Sequence, residues 1–223
     1  MASHIPTIVI NFKSYQESMG QNAIQLAKDA ETVSNETGVN IIVTPSLFDI
    51  VNTAKTVGIP VYSQHIDPIS YGAYTGHVSP NHLKSAGIKG TLVNHSEKKL
   101  PEEIIIKTIN VLRELDLDHI LCVATPDEAD TLIKNVIPNS IAIEPPELIG
   151  TGRAISQEKP EVIIKAIEVV SHFNIPLLCG AGVVDGKDVK KAIELGANGI
   201  LVASGIVKAK IPIDIIRDFA SNM

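Results

Sequence analysis

Short runs of aliphatic, mostly β-branched residues recur along the chain at residues 7–11, 40–44, 61–65, 90–94, 119–124, 140–144, 176–180 and 199–203. Runs of this length and composition read as buried strands. Between them the apolar positions return with helical spacing, as in residues 23–33, 104–115, 162–170 and 189–195. The punctuation agrees. Gly38, Gly87 and Gly196 stand where helices should stop, and Pro101, Pro126 and Pro160 suit first turns. Eight strands alternating with helices are what a closed parallel (β/α)8 barrel of the α/β class requires. An open doubly wound sheet would share the alternation, but no Gly-x-Gly-x-x-Gly follows the first strand, which favours the barrel.

Length narrows the architecture further. The 223 residues fit one such barrel, which usually takes about 200 to 250. No linker, low-complexity tract or step in composition interrupts the chain, so a single domain over residues 1–223 is expected. Trp is absent and only four Phe and four Tyr occur, so aliphatic side chains must fill the core. A net charge of −6 offers no broad basic surface, which argues against nucleic acid as a partner. An anionic ligand would then need local positive potential: one well-placed Lys and several backbone N–H groups.

Cys122 and Cys179 lie in apolar runs and read as small buried hydrophobes, too few for a disulfide framework or a metal cluster. The opening Met-Ala-Ser-His-Ile-Pro lacks the apolar stretch of a signal peptide, and no later run has the length to span a membrane. A reduced, cytoplasmic protein without membrane contact is the expectation.

Barrels of this kind carry their chemistry on the loops after the strands. Strand one ends Asn11-Phe12-Lys13, and alternation puts Asn11 and Lys13 on one side with Phe12 on the other. A Lys beside an amide can hold a phosphate and polarise a carbonyl. Strand four ends Asn94-His95-Ser96-Glu97, where His95 can hydrogen-bond a substrate oxygen and Glu97 can pair with a Lys. Strand six ends Glu144-Pro145-Pro146, and a carboxylate after three apolar residues is costly unless paired or used. It reads either as a general base or as half of a buried ion pair with Lys13. The segment through Ile149-Gly150-Thr151-Gly152 is stiff at one end and flexible at the other, as a lid would be. Strands seven and eight end in small residues, Gly180-Ala181-Gly182 and Ala203-Ser204-Gly205, in the two units where barrels commonly bind phosphate.

With Asn11-Phe12-Lys13, Asn94-His95-Ser96-Glu97 and Glu144-Pro145 with Ile149-Gly150-Thr151-Gly152 in order along the chain, the sequence resembles the triosephosphate isomerase family in its shorter archaeal form. The resemblance covers essentially the whole chain. It implies interconversion of dihydroxyacetone phosphate and glyceraldehyde 3-phosphate through an enediolate, in glycolysis and gluconeogenesis, without metal or cofactor. It implies Glu144 as base, His95 as neutral electrophile and Lys13 as the positive charge. Asn11, Phe12, Ile149, Gly182, Ala203 and Ser204 would complete the substrate contacts. Tyr74-Thr75-Gly76 resembles the protruding loop that inserts into a partner subunit, and the shortened helices go with a homotetramer, a dimer being the alternative. Two departures stand out: the lid reads Pro145-Pro146-Glu147-Leu148-Ile149-Gly150 where Pro-x-Trp-Ala-Ile-Gly is common, and Gly180-Ala181-Gly182-Val183 replaces the usual Gly-Gly-Ser. A sugar-phosphate aldolase or epimerase, and a non-catalytic phosphate binder, are the competing expectations.

Overall fold

A computed structural model describes residues 5–223. The reading of the first four residues lies outside the described residues. Eight parallel strands run β1 (Thr7–Asn11), β2 (Asn40–Thr44), β3 (Tyr62–Ser63), β4 (Gly90–Val93), β5 (Asp118–Val123), β6 (Ser140–Ile143), β7 (Leu177–Cys179) and β8 (Gly199–Val202). Their order, β2-β1-β8-β7-β6-β5-β4-β3, is closed by a bridge between Val43 and Val61. This is a (β/α)8 barrel.

The helices are α1 (Gln21–Thr37), α2 (Ile50–Thr56), α3 (Pro80–Ser85), α4 (Glu102–Glu114), α5 (Pro126–Ile133), α6 (Ile155–Glu158), α7 (Pro160–Ser171), α8 (Gly186–Glu194), α9 (Ser204–Val207) and α10 (Pro212–Ala220). Single-turn α6 and α9 are additions to the basic alternation. On α1 the buried positions Ala23, Leu26, Ala27, Ala30 and Val33 form one stripe, the spacing expected of a helix lying on a sheet. The first and last helices, α1 and α10, pack together and so close the outer ring, with Arg217 donating two hydrogen bonds to Glu36 across the join.

Alternation along each strand sorts the core into two layers. Val9, Ile42, Tyr62, Leu92, Ile120, Cys122, Ala142, Leu178 and Leu201 fill the barrel interior. Their strand neighbours, such as Ile8, Ile10, Ile41 and Val43, face the helices. The third strand is shorter than its apolar run implies. After Ser63 the contact passes to the Gln64 side chain, which donates to the carbonyls of Lys13 and Thr44, both at 3.0 Å. Among the described residues, no helix is long and apolar enough to cross a membrane.

Candidate active site

The C-terminal ends of β1, β4, β6, β7 and β8 converge on one mouth. At the end of β1 the chain turns sharply: Lys13 has φ 48°. That left-handed backbone costs a non-glycine residue about 1 kcal/mol or more. Local bonds hold it, because Asn11 Oδ1 accepts from Lys13 N at 3.0 Å while Gln64 caps the Lys13 carbonyl. Lys13 Nζ reaches Glu97 Oε1 at 2.8 Å. The buried pair of Lys13 with Glu144 is therefore not formed. The Phe12 side chain is fully buried in the helix-side core, on the face opposite Asn11 and Lys13 as alternation implies. Its N–H donates to Thr44 O and its carbonyl accepts from Ser18 Oγ.

At the end of β4, His95 is almost fully buried. Its Nδ1 accepts from the Glu97 N–H at 3.2 Å, so the ring proton of the neutral imidazole sits on Nε2. That nitrogen points at Glu144 Oε2 across 3.6 Å. Burial pushes the His95 pKa down to about 4, with Lys13 pushing the same way and Glu97 opposing. Glu144 is buried too, and burial raises its carboxyl to about 7, against the pull of the Cys122 thiol and Lys13. A neutral imidazole facing this carboxyl is no ion pair. Among the described residues, neither His95 Nε2 nor Glu144 Oε2 has a hydrogen-bond partner. Two buried polar atoms left open towards each other are expensive in a structural role and useful in a reactive one.

Glu144 also needs room. A Cβ on Gly180, at the end of β7, would collide with Glu144 Cγ. Beyond it, Gly182 (φ 71°) lies so close to the Arg153 carbonyl that no side chain fits, and Ile155 N donates to Ala181 O at 3.1 Å. The loop after β7 is thus packed onto the far end of the lid. The near end starts as a 3-10 turn, Pro146–Leu148, anchored by buried Leu148 and by an ion pair between Glu147 and Lys159.

Two adjoining cavities open at the mouth. One, of about 270 Å³, is lined by Asn11, Lys13, Gln64, His95 and Glu97 among others. The smaller is lined by Lys13, Tyr15, Glu144, Ile149, Gly182, Ala203 and Ser204. Lys13 belongs to both. α9 starts at Ser204, and the first N–H groups of a helix have no helical acceptor, which suits an anion. Of the residues picked from sequence, all but Phe12 line one cavity or the other. Gln64 and Tyr15 were not singled out, and Cys122 was read only as a small buried hydrophobe, which it is. Gln64 was findable by the same search for polar residues at strand ends; Tyr15 and Cys122 carried no such signal.

The fold and this site define a (β/α)8 barrel with a buried carboxyl and a neutral imidazole facing each other beside two cavities at its mouth. Residues 6–219 match the family model described as triosephosphate isomerase. Relatives named triosephosphate isomerase include those of Methanothermus fervidus (48% identical, over 92% of this chain and 93% of that one) and Methanocaldococcus jannaschii (45%, over 95% and 97%). That of Sulfurisphaera tokodaii is 43% identical over 97% of this chain and 95% of its own. The chain belongs to the triosephosphate isomerase family.

Proposed function

We propose that Glu144, His95 and Lys13 carry the isomerisation of dihydroxyacetone phosphate and glyceraldehyde 3-phosphate in this chain. The observation that supports these roles best is the pair of buried, unpartnered atoms, His95 Nε2 and Glu144 Oε2, facing each other across 3.6 Å. Glu144 as carboxylate removes a proton from the carbon beside the carbonyl. His95 donates its Nε2 proton in a hydrogen bond to the carbonyl oxygen, which gains charge as the enediolate forms. The hydroxyl proton then passes from one enediolate oxygen to the other beside His95 Nε2 while Glu144 returns its proton to the neighbouring carbon, so aldose and ketose exchange with no net change in atoms. Lys13 offsets the developing negative charge. The phosphate lies in the smaller cavity, on N–H groups at Gly182 and Ser204 with Ile149 closing from the lid.

A coupled assay on the purified protein tests this. Turnover is expected with no added metal or nucleotide, and Glu144→Ala should lower kcat by about a thousandfold or more. Unchanged turnover in that variant would sink the assignment of the base.

The same reading extends to assembly. The loop carrying Tyr74-Thr75-Gly76 is tied at its base, where Asp67 N donates to Val78 O at 2.9 Å and Asp67 Oδ2 accepts from Val78 N at 2.7 Å. Its tip exposes Tyr71 and Tyr74, and Leu47 and Phe48 are exposed on the loop after β2. A second copy covering these residues accounts for them, and a tetramer is the expected state. Light scattering that finds a monomer at micromolar concentration would overturn it. The two buried free thiols suit the reduced cytoplasm, where glycolysis and gluconeogenesis would use the enzyme.

A further inference from the structure

The residue before His95 is held more firmly than its neighbours require. Asn94 is buried and left-handed, at φ 61°. Its side chain makes three hydrogen bonds. Oδ1 accepts from Leu100 N at 3.0 Å, which closes the loop of residues 94–100 that carries His95. Nδ2 donates to Cys122 O at 2.9 Å and to Glu128 Oε1 at 3.1 Å.

Glu128 sits in the first turn of α5 and lines neither cavity of the mouth. The same Oε1 accepts from Lys99 Nζ at 2.7 Å, and Oε2 accepts from Ala124 N at 2.6 Å. One carboxylate therefore grips the His95 loop twice, through Asn94 and Lys99, and the end of β5 once. That strand end in turn holds the base, because Glu144 N donates to Val123 O at 2.8 Å. Burial alone would raise the Glu128 carboxyl, yet Lys99 and the Ala124 N–H hold it below the ordinary carboxylate range. It is a fixed negative charge that satisfies donors from both arms of the site.

We propose that Glu128 is a positioning residue for the isomerisation, setting the separation of His95 and Glu144 through Asn94, Lys99 and Ala124 without touching substrate. This rests on the roles assigned to His95 and Glu144. A neutral amide at position 128 cannot accept from all three donors, and it leaves the Lys99 charge uncompensated. Lys13, Glu97 and Lys99 are the charges acting on both His95 and Glu144, so freeing Lys99 favours the ionised form of Glu144.

The test is Glu128→Gln in the full-length enzyme. The expected result is a kcat lower by about tenfold or more with KM within about twofold, because geometry rather than ground-state binding is lost. The acid limb of kcat/KM should move to lower pH. A purely structural role would lower the melting temperature and leave kcat and the acid limb of the folded enzyme unmoved. Lys99→Met should lose part of kcat and Lys99→Arg should restore it. If Glu128→Gln fails to fold, Asn94→Gly keeps the left-handed backbone and removes the three bonds, and it should show the same kcat-specific loss. Wild-type kcat and pH profile in folded Glu128→Gln, or in Asn94→Gly where the former does not fold, overturns the proposal. With Glu144→Ala inactive, that outcome removes the positioning role alone; an active Glu144→Ala removes the assignment beneath it.

Discussion

Glu144 and His95 are shifted in opposite directions by one cause. Loss of water disfavours the charged form of each, so the carboxyl rises to about 7 and the imidazole falls to about 4. Above neutrality both are in their working forms, and the acid limb of kcat/KM should lie near pH 7 and belong to Glu144. The same shifts set the stability. A carboxyl raised in the fold contributes stability that is complete below its ordinary value of 4.5 and is lost as the pH rises through about 7. Glu144→Gln removes that loss, so the variant should be more stable than its parent at pH 8, by roughly 3 kcal/mol. The gap should close towards pH 4.5, and thermal melts at the two pH values would show it. A gap that does not change with pH defeats this reading. His95 carries the reverse sign: its neutral ring contributes above about pH 6.5, and that contribution fades as the pH falls towards 4. Lys13 shows the limit of single-residue reading. Either Glu97 or Glu144 was chemically suitable as its partner, and the folded chain pairs it with Glu97.

Between elements, β6 and β7 share a volume that only one side chain occupies. Glu144 takes the space a Cβ on Gly180 would need, so Gly180→Ala should displace the base while leaving most of the barrel intact. A misplacement near 1 Å at a reacting group costs about a hundredfold in rate. The expected outcome is that loss in kcat with a small change in melting temperature; wild-type kcat would show that Glu144 tolerates the crowding. Elements were also the scale at which the sequence was most legible. Apolar runs separated by helical spacing located all eight strands, because in a barrel each strand is buried on both faces. Strand β3 was overextended, since beyond Ser63 the contact passes to the Gln64 side chain, which finds its acceptors at Lys13 and Thr44 far back in the chain. Phe12 shows the alternation at work: it is expected to face away from Asn11 and Lys13, and its side chain lies in the helix-side core. The Asn94–Glu128 contact spans 34 positions and has no periodic signature at all.

For the molecule as a whole, the ring of strands is not equally strong all the way round. From β3 through β8 to β2 every neighbour pair is laddered, whereas β2 and β3 meet at the Val43–Val61 bridge, reinforced by Val43 N donating to Pro60 O and by Gln64. The barrel is thus a curled sheet with a clasp. Local opening is cheapest where fewest backbone bonds must break together, so amides along this join should exchange with deuterium before those of β4 to β6. Uniform protection around the ring would contradict that. If the join does open first, the enzyme has a mechanical polarity: a pull on the chain, or an invading strand, would enter beside Lys13 and loosen the cation before it reaches the base. Loss of activity under stress would then precede loss of the barrel.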